Sequence, residues 1–352
     1  MYNMIINLTE HFMRTDIGID LGTNFTRIYM GKGIALCEPS VVTVNDMTGE
    51  AVNFGYDAYR AIGRTSDLRI PVCPIEYGAV ADFRAAELML TEYVGRVCGK
   101  RIIRPRAIVA IPCGATAVQQ RSVLDAMETA GARNVCLVES PLVTAMGLGI
   151  DFSTPKGTTV VDIGKGTTDI AVLSMGGLAR SVSLKTGGAA FDEAIVKYVR
   201  SLHNVSIGVV TAERLKKEIG CVVRRPIEVG MTVTGLNIFS GLPQSVEVTS
   251  TELLQVMNEV ASDIIRSIQD VFEHTAPEMI ADTAEDGIIL TGGGALTYGM
   301  REMLEQRLST KINLVDDPEN SVVRGLGKAL SDFSMLKNHD YHFRSLEDLM
   351  VE

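Results

Sequence analysis

Paired cysteines and any basic excess are both missing from this sequence. Its six cysteines, Cys37, Cys73, Cys98, Cys113, Cys136 and Cys221, are scattered and form no C-x-x-C pair. Neither a zinc site nor a disulfide framework is suggested, and reduced buried thiols in a cytoplasmic protein are expected. The net charge of −10 argues against nucleic acid as a partner. No apolar run reaches transmembrane length: residues 107–120 lack charge but contain Pro112 and Gly114. No basic segment leads into an apolar stretch at the N-terminus, so a secretory signal is not expected. There is no Trp, and the 16 Met residues read as pliable core filler. With 46% apolar residues and a mean hydropathy of +0.18, the chain is not of a disordered type. Its 352 residues suffice for two sizeable cores.

What is present is a repeated hairpin. Residues 159–169 read TVVDIGKGTTD: a strand ending in Asp162, a turn of Gly164, Lys165, Gly166, Thr167 and Thr168, and a second apolar run. Val and Ile favour strands and glycine permits tight turns. Such a loop presents backbone N–H groups and hydroxyls to an anion, and an aspartate can face the same ligand only across a cation. The combination reads as nucleotide phosphate plus Mg²⁺. Residues 17–30 carry a second copy, in which Asp20, Gly22, Thr26 and Ile28 match Asp162, Gly164, Thr168 and Ile170 at one constant offset. Two similar domains facing a shared phosphate site are expected.

In chain order, Met1, Ile5, Leu8 and Phe12 recur at helical spacing within residues 1–14. The segment suits an amphipathic helix on a membrane, a helix packed on the protein, or a frayed extension. Burying each such side chain is worth roughly 1.5–3 kcal/mol at most, much of it offset by ordering the segment. Residues 33–77 are β-rich with turn signals and suggest a small insertion. Residues 83–97 are helical in period. The basic 100–104 loop, tipped by Ile102 and Ile103, is either a second membrane contact or a solvated turn. A strand at 107–111, a helix at 116–130 and a strand at 134–138 lead to Glu139, Ser140 and Pro141. This rhythm gives a sheet with helices on its faces and ligands at strand ends. Gly187 and Gly188 turn the chain into a helix over 191–202. Residues 211–219 form a capped helix whose Glu213, Lys216 and Lys217 would, without further context, be a solvated face. Residues 221–248 alternate as strands of a second insertion. Thr249 and Glu252 form a capping box opening a helix to about 274. A buried strand at 287–291 runs into Gly292, Gly293, Gly294 and Ala295, a loop suited to an adenine or ribose. Residues 316–332 hold a last helix.

The motifs at Asp20, Asp162 and Thr291, in this order, resemble the actin/Hsp70/sugar-kinase superfamily. Stretches at 38–42, 78–83, 130–133, 192–195, 211–220 and 240–243 further resemble the bacterial actin MreB family, and the likeness spans about 16–330. It implies a duplicated, ribonuclease H-like α/β fold of the actin type, two-lobed with four subdomains and a nucleotide in the central cleft. Lobe I would be 15–150 plus 331–345, with an insertion at 33–77. Lobe II would be 151–330, with an insertion at 187–248, and 346–352 a tail. The resemblance implies ATP and Mg²⁺ as cofactors, with Asp20 and Asp162 holding the metal through water. Phosphate loops would be Gly22, Thr23 and Asn24, and Gly164 to Thr168. Glu213, Lys216 and Lys217 would contact ribose and base, with Gly188 and Gly292 to Leu296 around the nucleoside. It further implies self-association into paired protofilaments, cell-shape control from the inner face of the membrane, and other bacterial actin paralogues as partners.

Two departures stand out. The family's water-positioning glutamate before Pro141 is Ser140 here, and Glu139 beside it points elsewhere if strand-end alternation holds. With Ser140, Glu139 and Thr167 as the catalytic positions, weak hydrolysis with intact binding is expected, since a general base contributes about 10²–10⁴-fold. Lys165 stands where relatives have glycine; a left-handed backbone there would cost roughly 1–2 kcal/mol, compensated if its ammonium reaches a phosphate. Such departures resemble those of divergent paralogues in helical wall-less bacteria, whose filaments serve shape and swimming. A small-molecule kinase and a chaperone-type ATPase are the competing functions within the superfamily.

Overall fold

The computed structural model describes residues 16–64, 68–99, 104–337 and 341. Met1, Ile5, Leu8 and Phe12, the Ile102 and Ile103 tip, and the 346–352 tail lie outside the described residues. The chain forms two compact units, Met1–Asp151 with Asn320–Glu352, and Phe152–Glu319.

The first unit opens with the hairpin β1 (Ile17–Leu21) and β2 (Phe25–Met30), continued antiparallel by β3 (Gly33–Pro39). β3 therefore belongs to the main sheet, and the insertion expected from residue 33 begins only after Pro39. It comprises β4 (Val42–Asn45), β5 (Ala51–Phe54), α1 (Gly55–Tyr59), β6 (Arg69–Val72), β7 (Ile75–Glu76) and β8 (Ala79–Val80). After α2 (Phe83–Cys98), β9 (Arg106–Ile111) returns parallel to β1; α3 (Ala117–Thr129), β10 (Asn134–Glu139) and α4 (Ser140–Leu148) follow. The sheet order is β10-β9-β1-β2-β3.

Strand alternation distributes the faces of this sheet. Ile17, Ile19 and Leu21 of β1 join Met89, Leu90 and Tyr93 of α2 and Val123 and Met127 of α3 in one core. Gly18 points the other way, where a Cβ would lie 2.7 Å from Leu326.

The second unit repeats the plan. β11 (Thr158–Ile163), β12 (Thr168–Ser174) and β13 (Gly177–Leu184) are antiparallel, while β17 (Ile288–Thr291) and β18 (Ile312–Leu314) add in parallel, giving β13-β12-β11-β17-β18. Between them come α5 (Gly188–His203), β14 (Val205–Ser206), α6 (Val209–Glu218), and the hairpin β15 (Gly230–Asn237) and β16 (Pro243–Thr249). Next are α7 (Ser250–Glu273) and α8 (Pro277–Asp286), with α9 (Met300–Leu308) between β17 and β18. The capping box of α7 forms as expected: Thr249 Oγ1 accepts from Glu252 N at 3.3 Å and Glu252 accepts from Thr249 N at 2.6 Å. One apolar stripe, from Leu253 through Met257, Ala261, Ile264 and Ile268 to Val271, buries α7 in the core. The cap expected near Thr211 does not form. α6 starts at Val209, and Gly208 precedes it without a side-chain cap.

The division expected at residue 330 falls earlier. α10 (Ser321–Ser331) belongs to the first unit, because its glycines let it lie directly on that sheet and on α4. A Cβ on Gly325 would overlap the carbonyl of Val143, and one on Gly147 would lie 2.8 Å from Gly325 Cα. α11 (Ser334–Lys337) follows. Among the described residues no helix is long and apolar enough to cross a membrane. Gly325→Ala should lower stability by roughly 1–3 kcal/mol or more, whereas Gly33→Ala, with open space around it, should be near neutral; urea unfolding of both variants checks this.

Candidate functional site

The two hairpin turns close with the same bond. Gly22 N donates to Phe25 O at 3.1 Å, and Gly164 N donates to Thr167 O at 2.8 Å. Thr23 and Asn24 in the first turn are tied down, Thr23 Oγ1 accepting from Gly78 N at 3.1 Å and Asn24 O from Ser40 N at 2.9 Å. Thr26 and Thr168 are fully buried behind the turns. The first shares a hydrogen bond with Ser40 Oγ, and the second donates to Thr186 O at 2.7 Å. Thr168 thus braces its loop and does not offer its hydroxyl to a ligand, as buried hydroxyls must find an internal partner. Thr167 is half-buried and donates to Asp169 at 3.3 Å.

In the second unit the loop of Gly164 and Lys165 docks on the start of α5. Gly188 N donates to Gly164 O at 2.9 Å and Ala189 N to Lys165 O at 2.8 Å. The first donors of that helix are thus satisfied by the hairpin. Gly187 is required for this approach, since a Cβ would lie 2.6 Å from Gly164 O. Lys165 does not adopt a left-handed backbone, so the strain foreseen there is absent.

Its ammonium lies 3.4 Å from Glu213, which Lys217 also meets at 2.8 Å. Burial pushes the Glu213 carboxyl up, but Lys165, Lys217 and Lys216 outweigh it and hold it at about 2. Lys216, expected at the ligand, has a side chain only 12% exposed that pairs with Asp192 at 2.8 Å while donating to Gly188 O at 2.7 Å. Burial pushes Lys216 down and Asp192 up, and the ion pair between them opposes both shifts. Three ammoniums thus face two carboxylates. Lys165 and the 62% exposed Lys217 line the open side of the cluster.

The glycines after β17 serve packing first. A Cβ on Gly292 would overlap Asp162, and one on Gly294 would overlap Ile163, so the 3₁₀ turn Gly293–Leu296 lies flat on the hairpin. Ala295 is buried and Leu296 exposed. This brings Asp162, Lys165, Gly188, Glu213 and the turn together in one unit, with Tyr298 stacked under Arg225 at 4.1 Å beyond. Among the described residues no group of three or more acidic, His or Cys side chains could cage a metal. Mg²⁺ is commonly held by only one or two carboxylates beside phosphate.

In the first unit Ser140 Oγ donates to Ile111 O at 3.2 Å, and Glu139 accepts a 2.6 Å bond from Tyr341. Burial, then the Glu139 charge, raise the Tyr341 hydroxyl far above its ordinary pKa. The two adjacent side chains thus meet different partners, Glu139 engaging Tyr341. Asp20 sits opposite Arg27, whose Nη1 lies 3.4 Å away. Arg27, Asp192 and Tyr341 were not foreseen as site residues. The first was legible from hairpin register, the second lies in a family-like stretch, and the third had no local signal.

Because Glu213 has a lower pKa folded than unfolded, its stabilisation is full above about pH 4.5 and is lost as pH falls towards 2. Glu213→Gln should lose roughly 1–3 kcal/mol at neutral pH and show a flatter stability profile between those limits, measured by urea unfolding against pH.

A family model described as MreB/Mbl protein matches residues 14–338. The cell shape-determining protein MreB of Escherichia coli (strain K12) is 38% identical over 327 residues, covering 91% of this chain and 94% of that protein. Mbl of Bacillus subtilis (strain 168) is 36% identical over 323 residues, covering 91% and 97%. The crystal structure of MreB 5 of Spiroplasma citri bound to AMPPNP superposes with a TM-score of 0.86 at 32% identity, covering 93% of this chain and 98% of that one. The MamK double helical filament, at 21% identity and a TM-score of 0.77 over 90% of this chain and 98% of that one, shares the fold. Matching motifs, a duplicated sheet plan and similarity along nearly the whole length lead to one conclusion: the chain is a member of the MreB/Mbl family and has its actin-like fold.

Proposed function

We propose that this chain is an ATP-binding cytoskeletal protein that polymerises, with nucleotide regulating assembly and with slow hydrolysis. The reading is carried by the hairpin that each unit repeats down to its closing backbone bond, backed in the second unit by the Lys165–Glu213–Lys217 cluster. A relative of known structure is named as bound to AMPPNP and, in another crystal, to ADP.

In this proposal Lys165 swings from Glu213 to a phosphate oxygen, for which an ammonium is a strong donor. Glu213 and Lys217 orient the ribose and base edge, and the exposed face of the 293–296 turn packs on the nucleoside. Asp162 would hold Mg²⁺ through water, and the ion would supply positive charge beside the phosphates. Hydrolysis is slow because Ser140, with its hydroxyl donated to Ile111 O, is no base, and Glu139 is held by Tyr341. Filaments on the inner membrane face are part of the same reading. A weak lipid affinity of one copy is multiplied along an array. The departures at 140 and 165 fit a divergent paralogue serving shape or swimming.

Sedimentation with ATP, ADP and no nucleotide should show nucleotide-dependent pelleting, with filaments by negative stain; a chain that stays in the supernatant throughout refutes polymerisation. Ser140→Glu should raise phosphate release at least about tenfold, and a rate equal to the parent's would refute the account of slow hydrolysis. Lys165→Ala should weaken ATP binding by roughly tenfold, read by titration calorimetry.

A further inference from the structure

The two hairpins differ in charge at one matched cross-strand pair. Across β11 and β12, Asp162 faces Asp169, two carboxylates. Across β1 and β2, Asp20 faces Arg27. The pair is largely withdrawn from water, with side chains 16% and 12% exposed, yet its single contact is long, Nη1 to Oδ2 at 3.4 Å. Arg27 Nε is buried without a hydrogen-bond partner among the described residues. Its guanidinium carbon lies 5.2 Å from the ring centre of Phe25, which shields one face.

A guanidinium carries five donors in a rigid fork that matches phosphate oxygens, and buried donors are almost always satisfied. Arg27 therefore holds donors that the protein alone leaves unused. They sit beside the turn of Gly22, Thr23 and Asn24, one of the two loops assigned to phosphate. A hydrated metal at Asp20 would meet a fixed positive charge there. With Arg27 Nη1 at 3.4 Å, the Asp20 carboxylate already has a cation beside it.

We propose that Arg27 is a built-in counter-ion of the first phosphate loop: it takes the place of metal at Asp20 and donates to the phosphates itself. Binding of nucleoside triphosphate by this chain then depends little on divalent cation. The proposal rests on the nucleotide reading above.

The test is the affinity of the full chain for a ribose-labelled fluorescent ATP, measured with Mg²⁺ and with EDTA. The parent should lose less than about threefold on chelation, and Arg27→Leu should lose about tenfold or more in EDTA while recovering with Mg²⁺. Asp20→Asn, which releases Arg27 from its partner, should bind at least as tightly as the parent in EDTA. Collapse of parent binding in EDTA, an Arg27→Leu affinity equal to the parent's in EDTA, or weakened Asp20→Asn would overturn the counter-ion role alone. Absence of binding by the parent in both buffers would overturn the nucleotide reading with it. If thermal melting shows Arg27→Leu unfolded, the parent and Asp20→Asn arms decide.

Discussion

A single backbone hydrogen bond, glycine N–H to the carbonyl three residues on, shapes each hairpin turn, and much else follows from it. In the second unit it fixes the carbonyls of Gly164 and Lys165 so that they receive the first amides of α5. That docking places Gly188 over Lys216, and Lys216 in turn anchors Asp192. The charge cluster around Glu213 is therefore assembled on a rigid loop, and glycines at 187, 292 and 294 make the approach possible by carrying no side chain. The glycines of the loop after β17 look from composition like a ligand cradle, but contact with Asp162 and Ile163 already demands two of them.

Local signals were the readable ones. The capping box at Thr249 and Glu252 and the start of the helix it opens are decided within a few residues, and both formed as expected. The duplicated hairpin was legible because every determinant of a tight turn lies inside it. What escaped reading depended on distance or burial. Glu139 meets Tyr341 across a separation of 202 residues, for which no period or spacing gives a signal. Lys216 and Thr168 carry ligand-like chemistry, and only their burial shows that both are committed inward. Gly208 displaces Thr211 from the start of α6 because backbone geometry, not a side chain, opens that helix. Lys165 would have been strained only in a left-handed turn, and the turn accommodates it with an ordinary backbone.

The two carboxylates that look alike by repeat are in unlike surroundings. Asp162 is buried beside a second aspartate and the turn after β17, and Asp20 beside an arginine. Duplication conserved the geometry of the turn while the charges around it diverged. Position in a motif thus identifies a carboxylate without fixing its task; the residue opposite it on the neighbouring strand does that.

The placement of α10 bears on the order in which the polypeptide closes. The second unit is one continuous stretch, whereas the first is made of both ends of the chain. Gly18 and Val143 wait for Leu326 and Gly325, so the sheet of the first unit keeps an uncovered face until α10 has been made. The unit that begins later is the one able to finish earlier.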